Sequence, residues 1–596
     1  MNKNTNSFIF LIKITFVFFI VGCQTNAQSI SERIRVNQIG FYPNGPKVAV
    51  ILESSSPTFY VIEKNQKDTV FKGNLSEAKL HKESNKLISI ADFSPVSAIG
   101  TYQLVVPGLG ASYLFEVKPF VFHDILGASI KAFYFQRVST PLVETYAGKW
   151  HRPLGHPDDK VLIHPSVSKV DAEKKRTISS PRGWYDAGDY NKYIVNSGIT
   201  MATLLSLYED FPQYFDTITV NIPESGNQIP DLLDEVLWNL RWMLTMQDPS
   251  DGGVYHKLTN PDFDGVEMPD EAVKSRYVVQ KSTAATLDLA AVTAQSARIF
   301  KTFSKEFPGL ADSCLIASKR AWAWAKKNPN LIYDQDLINK NFDPDITTGT
   351  YGDNNVKDEL FWAAAELYAT TKEDVYLTTI KSEMDKNMSL PSWSNVEALG
   401  YYSLLRNRKE LPEASKKELD KIEYLVLSFS NKLINGVSDN PYATVMGKSE
   451  KDFIWGSNAV AANQGIALIQ AYLIKSEAKY LNYALANLDY LLGRNATGYS
   501  FVTGFGDKSP KHPHHRPSEA DEVKEPVPGL LVGGPNSGKQ DGCSYPHSLP
   551  SESYVDEYCS YASNEIAINW NAPFVYLAGA LEVMQGQIKS KRVDKQ

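Results

Sequence analysis

The chain has 596 residues, 43% hydrophobic and 22% charged, an ordinary globular mix that excludes a disordered, collagen-like or coiled-coil protein. A formal charge of -7 and a pI near 5.9 offer no basic stripe to neutralise phosphates, which argues against a nucleic-acid partner and for a neutral ligand. Aromatics reach 11%, with 31 Tyr and 10 Trp; most serve a core, but the surplus suits stacking on sugar faces.

At the N-terminus, Lys3 is followed by an apolar run from Phe8 to Gly22, broken by Lys13, and then by Cys23. This is a signal-peptide h-region, too short and too poorly flanked for a permanent membrane span. Ile20-Val21-Gly22-Cys23 resembles a bacterial lipobox, which makes residues 1–22 a lipoprotein signal peptide and Cys23 the lipidated residue; cleavage near Ala27 is the competing reading. Residues 23–33 read as a linker. The expectation is an exported outer-membrane lipoprotein, at the cell surface or in the periplasm, touching membrane only through its lipid; secretion is the alternative. Cys314, Cys543 and Cys559 show no CxxC spacing, so neither a disulfide framework nor a zinc ribbon is implied. Whether Cys543 and Cys559 pair stays open, because spacing says nothing of their Cα separation.

Residues 34–118 read as short β-rich runs, among them Lys47 to Leu52, Thr58 to Ile62 and Thr101 to Pro107, separated by Pro, Gly and Asn turns. That is the texture of a small all-β sandwich. From residue 119 to 586 long amphipathic helices take over, for instance Ser282 to Phe303, Glu359 to Ala369 and Ser457 to Ile474, with apolar residues three and four apart. No fixed repeat is visible, which argues against a solenoid. Residues 587–596 form a charged tail.

Three segments carry candidate chemistry. In Gly183-Trp184-Tyr185-Asp186-Ala187-Gly188-Asp189-Tyr190, two carboxylates three apart, with a glycine relaxing the backbone between them, can point into one cleft and hold a water. Such a turn is more often a cap or an incidental calcium ligand, but its flanking aromatics favour a site. Tyr554-Val555-Asp556-Glu557-Tyr558 leads to Glu565, which heads an apolar run that reads as helical. Glu565 is either a first-turn residue favoured by the helix dipole or, in an aromatic cleft beside Trp570, a carboxyl kept protonated by desolvation. Third, Ser500 to Lys508 leads to His512-Pro513-His514-His515-Arg516-Pro517; the prolines rule out a helical zinc motif, leaving a hydrogen-bonding clamp on sugar hydroxyls.

Together with Tyr134-Phe135-Gln136-Arg137, Gly252 to Lys257, Thr348 to Asp353, Asp358-Glu359 and Phe453 to Asn458, these segments resemble family 9 glycoside hydrolases, inverting β-glucanases. The start of the β region, Ile34 to Phe41, resembles the immunoglobulin-like module that precedes many of their catalytic domains. The resemblance implies an immunoglobulin-like sandwich followed by an (α/α)6 barrel. It implies endo hydrolysis of β-1,4 bonds in a plant glucan such as cellulose, xyloglucan or mixed-linkage glucan. It makes Asp189 the general base that activates water, Asp186 its helper, Glu565 the general acid, and Asp556 a further active-site acid. His514 and Arg516 would bind sugar hydroxyls, while His256, Tyr351, Trp455 and Trp570 are expected as sugar platforms.

Family members of this type often hold zinc through Cys and His upstream of the paired aspartates; the stretch from Lys149 to Ser180 has His151, His156 and His164 but no Cys, so zinc is not expected. Calcium at Asp358 and Glu359 is implied by the resemblance and suits hard oxygen ligands, although an acidic pair at a helix start reads the same way. No organic cofactor is implied, and a monomer is expected. The alternatives are an exo-acting relative and a non-catalytic surface glycan-binding lipoprotein.

Overall fold

The computed structural model describes residues 1, 29–64 and 68–590; Cys23, the signal segment and residues 591–596 lie outside them. The small domain is a sandwich of two sheets. One has the order β1 (Ile34–Arg35), β3 (Val48–Leu52), β7 (Lys86–Asp92), β6 (Lys79–His81); the other runs β2 (Gly40–Phe41), β10 (Phe115–Val117), β8 (Gly100–Val106), β4 (Thr58–Glu63), β5 (Thr69–Asn74), with β9 (Gly110–Ala111) beside β8. Period-two alternation sends Phe59 and Val61 of β4 and Tyr102 and Leu104 of β8 inward, where they meet Phe41, Phe93 and Phe115. Every strand except β2 pairs antiparallel; β2 joins β10 in parallel.

The large domain is helical. Among the described residues it holds twelve helices of ten or more residues. Six of these, Ile194–Asp210, Thr283–Phe300, Lys357–Thr371, Glu397–Arg406, Ser457–Lys475 and Ile568–Met584, are buried on nearly every face. Such all-round burial marks core helices. By contrast Leu310–Lys327 and Lys416–Ile434 bury one stripe each and pack outside them, and Ala478–Leu491 packs against Ser457–Lys475. The last helix, Ile568–Met584, returns to pack on Ile194–Asp210, so the helical array closes on itself.

One feature has no trace in the sequence pattern. Five strands of two or three residues, β11 (Val161–Ile163), β12 (Thr177–Ile178), β13 (Lys192–Tyr193), β14 (Lys257–Thr259) and β15 (Tyr277–Val278), form a sheet in the order β12-β11-β15-β14-β13 within the large domain. They are too short for alternation to register.

The two domains are joined by polar contacts as well as apolar ones. Asn37 Nδ2 donates to buried Asp489 at 2.8 Å, Gln38 Nε2 to the Gly498 carbonyl at 2.8 Å, and Tyr42 OH to Glu582 at 2.9 Å. Cys543 and Cys559, whose pairing the sequence leaves open, form a disulfide, and Cys314 is buried as a free thiol.

Candidate active site

The three segments singled out in the sequence meet through their backbones. Ala187 pairs with Ala567, and His514 pairs with Glu565. The Arg516 N–H donates to the Gly188 carbonyl at 3.1 Å, and the Ile568 N–H to the Asp186 carbonyl at 2.9 Å. Gly188 is required by this approach, since a Cβ there would lie 2.1 Å from the His514 carbonyl oxygen. Glu565 is extended (φ -71°, ψ 153°) and precedes the helix Ile568–Met584. Its expected place in a helix is therefore corrected: pairing with the 514 segment outcompetes helix extension.

These segments floor a cleft of about 980 Å³ lined by Asp186, Asp189, His514, Arg516 and Glu565. Asp186 Oδ1 accepts from Asn196 Nδ2 at 2.6 Å and Oδ2 from Tyr351 OH at 2.8 Å. Burial first, and then the Asp189 carboxylate, push Asp186 up to about 8 against the pull of those two donors. Asp189 Oδ2 accepts from the backbone and side chain of Asn191, and from Tyr193 OH at 3.4 Å, leaving Oδ1 without a donor among the described residues. Burial, followed by the charge of Asp189, holds the Glu565 carboxyl well above the usual range, with Arg516 opposing and Asp186 reinforcing. The site thus sets an Asp189 oxygen without a donor opposite two carboxyl groups, Asp186 and Glu565, that burial holds above their usual range.

His514 Nδ1 faces the Tyr558 carbonyl at 2.7 Å, an acceptor only, so Nδ1 carries the proton and Nε2 is left as an acceptor. Burial lowers its affinity for a second proton. The Arg516 guanidinium donates from Nε to the carbonyls of Asp264 and Gly265, at 3.0 and 3.1 Å, and from Nη1 to that of Gly188 at 2.9 Å. It thus clamps the paired-aspartate turn while keeping Nη2 free among these bonds.

Tyr351, Trp455 and Trp570 line the cleft. Trp455 is 41% exposed and leans on Tyr561, with ring centroids 5.5 Å apart. His256 does not line it: it is fully buried, bonded to Ser282 Oγ (2.9 Å) and the Thr350 carbonyl (3.0 Å) and stacked on Tyr333 at 4.1 Å. Its expected platform role is corrected to support of the Thr350–Tyr351 turn. Asp556 is likewise outside the cleft, its carboxylate spent on the backbone N–H groups of Lys511 (2.8 Å) and His512 (3.0 Å).

Asp358 accepts from the Val396 N–H at 2.8 Å and from Asn355 Nδ2 at 3.3 Å, whereas buried Glu359 has neither carboxylate oxygen paired. The prediction missed Phe263, Trp393, Ile454, Tyr561 and Asn196, all but the last lining the cleft. Phe263 and Trp393 stand singly in loops, whereas Ile454 lies beside Trp455, Tyr561 four residues before Glu565, and Asn196 seven after Asp189, positions that their neighbouring motifs could have pointed to.

The pattern of glycosyl hydrolase family 9 matches residues 122–578, and that of the cellulase N-terminal ig-like domain matches residues 29–111. A xyloglucan-specific endo-beta-1,4-glucanase of Bacteroides ovatus is 46% identical over 566 residues, covering 95% of this chain and 96% of that one. Endoglucanase D of Acetivibrio thermocellus is 34% identical, covering 94% and 82%. A solved Bacteroides ovatus structure of the same family superposes with a TM-score of 0.88 at 45% identity, covering 93% of this chain and 99% of that one.

Proposed function

This chain belongs to glycosyl hydrolase family 9 and is an endo-β-glucanase acting on plant glucans, and we propose that it cleaves β-1,4 bonds of xyloglucan with Glu565 as acid and Asp189 as base. The observation that carries the assignment is the convergence of Asp186, Asp189 and Glu565 on one cleft from segments nearly 400 residues apart. In the inverting reaction Asp189 Oδ1 takes a proton from water as it attacks the anomeric carbon. Glu565 gives its proton to the departing glycosidic oxygen, and no covalent sugar intermediate forms. Asp186, fixed by Asn196 and Tyr351, orients the water through its remaining lone pairs. His514 Nε2 accepts from a sugar hydroxyl and Arg516 Nη2 donates to one.

Xyloglucan is favoured by the xyloglucan specificity of the Bacteroides ovatus relative. Exposed apolar side chains at the cleft, Phe263, Ile454 and Trp455, give branch sugars surface to cover. We further read the six buried helices with their outer layer as an (α/α)6 barrel, the protein as a monomer, and Cys23 as the lipid attachment site of an exported lipoprotein.

For the calcium implied by the family, the chemistry of the donors fits. Glu359 is fully buried with both oxygens unpaired, a state that calls for a cation or a proton. Asp358 and Glu359 would hold the ion; since no three His, Cys, Asp or Glu side chains converge at metal-binding geometry among the described residues, carbonyls and water would complete the shell. The ion would tie the start of helix Lys357–Thr371 to its surroundings and take no part in the reaction.

A panel of soluble glucans with product sizing and NMR of the fresh anomer tests the assignment. Long intermediate products and α anomer at early times are expected; β anomer at early times, or release of only disaccharide from chain ends, overturns it.

A further inference from the structure

A second cavity, about 400 Å³, lies at the seam between the two domains. We propose that it is a separate binding site for one or two neutral pyranose units of a glucan. The choice of sugar rests on the glucanase reading above; the site itself does not. Glu32 and Arg35 enter from the small-domain side, and Tyr499, Lys508, Glu552 and Glu557 from the large domain.

The functional groups left free select the ligand. Among the described residues the carboxylates of Glu552, which is 8% exposed, and Glu557 have no hydrogen-bond or ion-pair partner, and both residues line the cavity. Lys508 and Arg35 are both engaged with Glu32, at 2.7 and 3.0 Å. An anionic ligand meets Glu552 and Glu557; a metal ion meets Arg35 and Lys508. A neutral polyol, which donates to carboxylates and accepts from a guanidinium with neighbouring hydroxyls, satisfies both. Tyr499, 4.9 Å from Tyr554 between ring centroids, adds an aromatic edge.

Hydrogen bonds connect the cavity lining to the segments that carry the catalytic cleft. Asp556 lines it while its carboxylate holds the N–H groups of Lys511 and His512, two residues before His514. Tyr554 OH donates to Asn564 at 2.6 Å, next to Glu565. A sugar seated here therefore meets two side chains, Tyr554 and Asp556, that are bonded to the segments carrying Glu565 and His514.

The test uses the full chain carrying Glu565→Gln, soaked and titrated with cellobiose. Density for a sugar in both cleft and seam is expected, with two sites by calorimetry. Glu552→Ala in that background should weaken the seam site at least tenfold and spare the cleft. Glu552→Ala alone should keep turnover on soluble xyloglucan within twofold of the parent. A filled cleft with an empty seam overturns this inference and leaves the glucanase reading intact. Calcium or phosphate taking the seam in place of sugar overturns the ligand class. An empty cleft in a protein that hydrolyses no glucan overturns both readings. The soak needs no change at the seam, so a folding defect in Glu552→Ala does not shield the proposal.

Discussion

Replacing Glu565 by Gln removes one proton and little else. The side chain keeps its volume, and the Glu565 carbonyl still accepts from the Gly533 N–H at 2.8 Å, so the extended segment that aims it is undisturbed. General-acid catalysis contributes about 10²- to 10⁴-fold, equivalent to about 3–5 kcal/mol of barrier. Burial and two neighbouring carboxyl groups hold this carboxyl well above its usual range, which favours the proton-bearing form that the acid role needs. The loss should fall on kcat with soluble xyloglucan, with KM nearly unchanged. A dinitrophenyl β-cellobioside, whose leaving group departs without a proton, should be cleaved at close to the parent rate. Comparable losses on both substrates, or xyloglucan turnover within tenfold of the parent, would refute the acid assignment.

Trp455→Ala should raise KM on polymeric glucan roughly 2- to 10-fold and leave kcat alone, the equivalent of about 0.5–1.5 kcal/mol of ring stacking; a kcat defect in steady-state assays would contradict a platform role. Burial pushes the Glu582 carboxyl up from 4.5 to about 7. Because its folded value is raised, its stabilising contribution is complete below pH 4.5 and lost as pH rises through 7, roughly 3 kcal/mol in all. Glu582→Gln should flatten that slope in melts from pH 4 to 8, and parallel curves would exclude it. Reducing the Cys543–Cys559 disulfide opens a loop of sequence separation 16, worth about 3 kcal/mol, and frees the Tyr558 carbonyl that holds His514. A Cys543→Ser/Cys559→Ser double variant should melt lower and show a raised KM; unchanged values in both assays would dissociate the loop from the site. EDTA should lower the melting temperature, calcium should restore it, and Glu359→Gln should abolish the response; a parent protein indifferent to EDTA removes the calcium assignment.

The paired aspartates, Glu565 and the His514–Arg516 segment are visible in the letters because the chemistry demands particular functional groups at short spacing. Their meeting is not visible, since it depends on backbone pairing between residues 187 and 567 and between 514 and 565. Asp556 and His256 show the reverse error. A residue embedded in a recognisable motif can be there to hold backbone, as Asp556 does for Lys511 and His512, and motif membership alone does not separate holding from touching. Trp393 and Phe263 were illegible for another reason: a single aromatic in a loop carries no periodicity. The small domain was easier, because inward residues such as Phe59 and Val61 alternate along one strand, whereas the two- and three-residue strands of the third sheet offer nothing to alternate.

Asn37, Gln38 and Tyr42 find their partners 452, 460 and 540 positions later in the chain. During synthesis the small domain leaves the ribosome first and must wait, minutes at slow elongation rates, with these donors solvated. It serves as a docking template for the last fifth of the polypeptide. Shortened versions lacking the leading hundred residues would leave Asp489 with only Arg494 and Glu582 with only the Phe122 N–H, and should be recovered as insoluble material instead of as a smaller working enzyme.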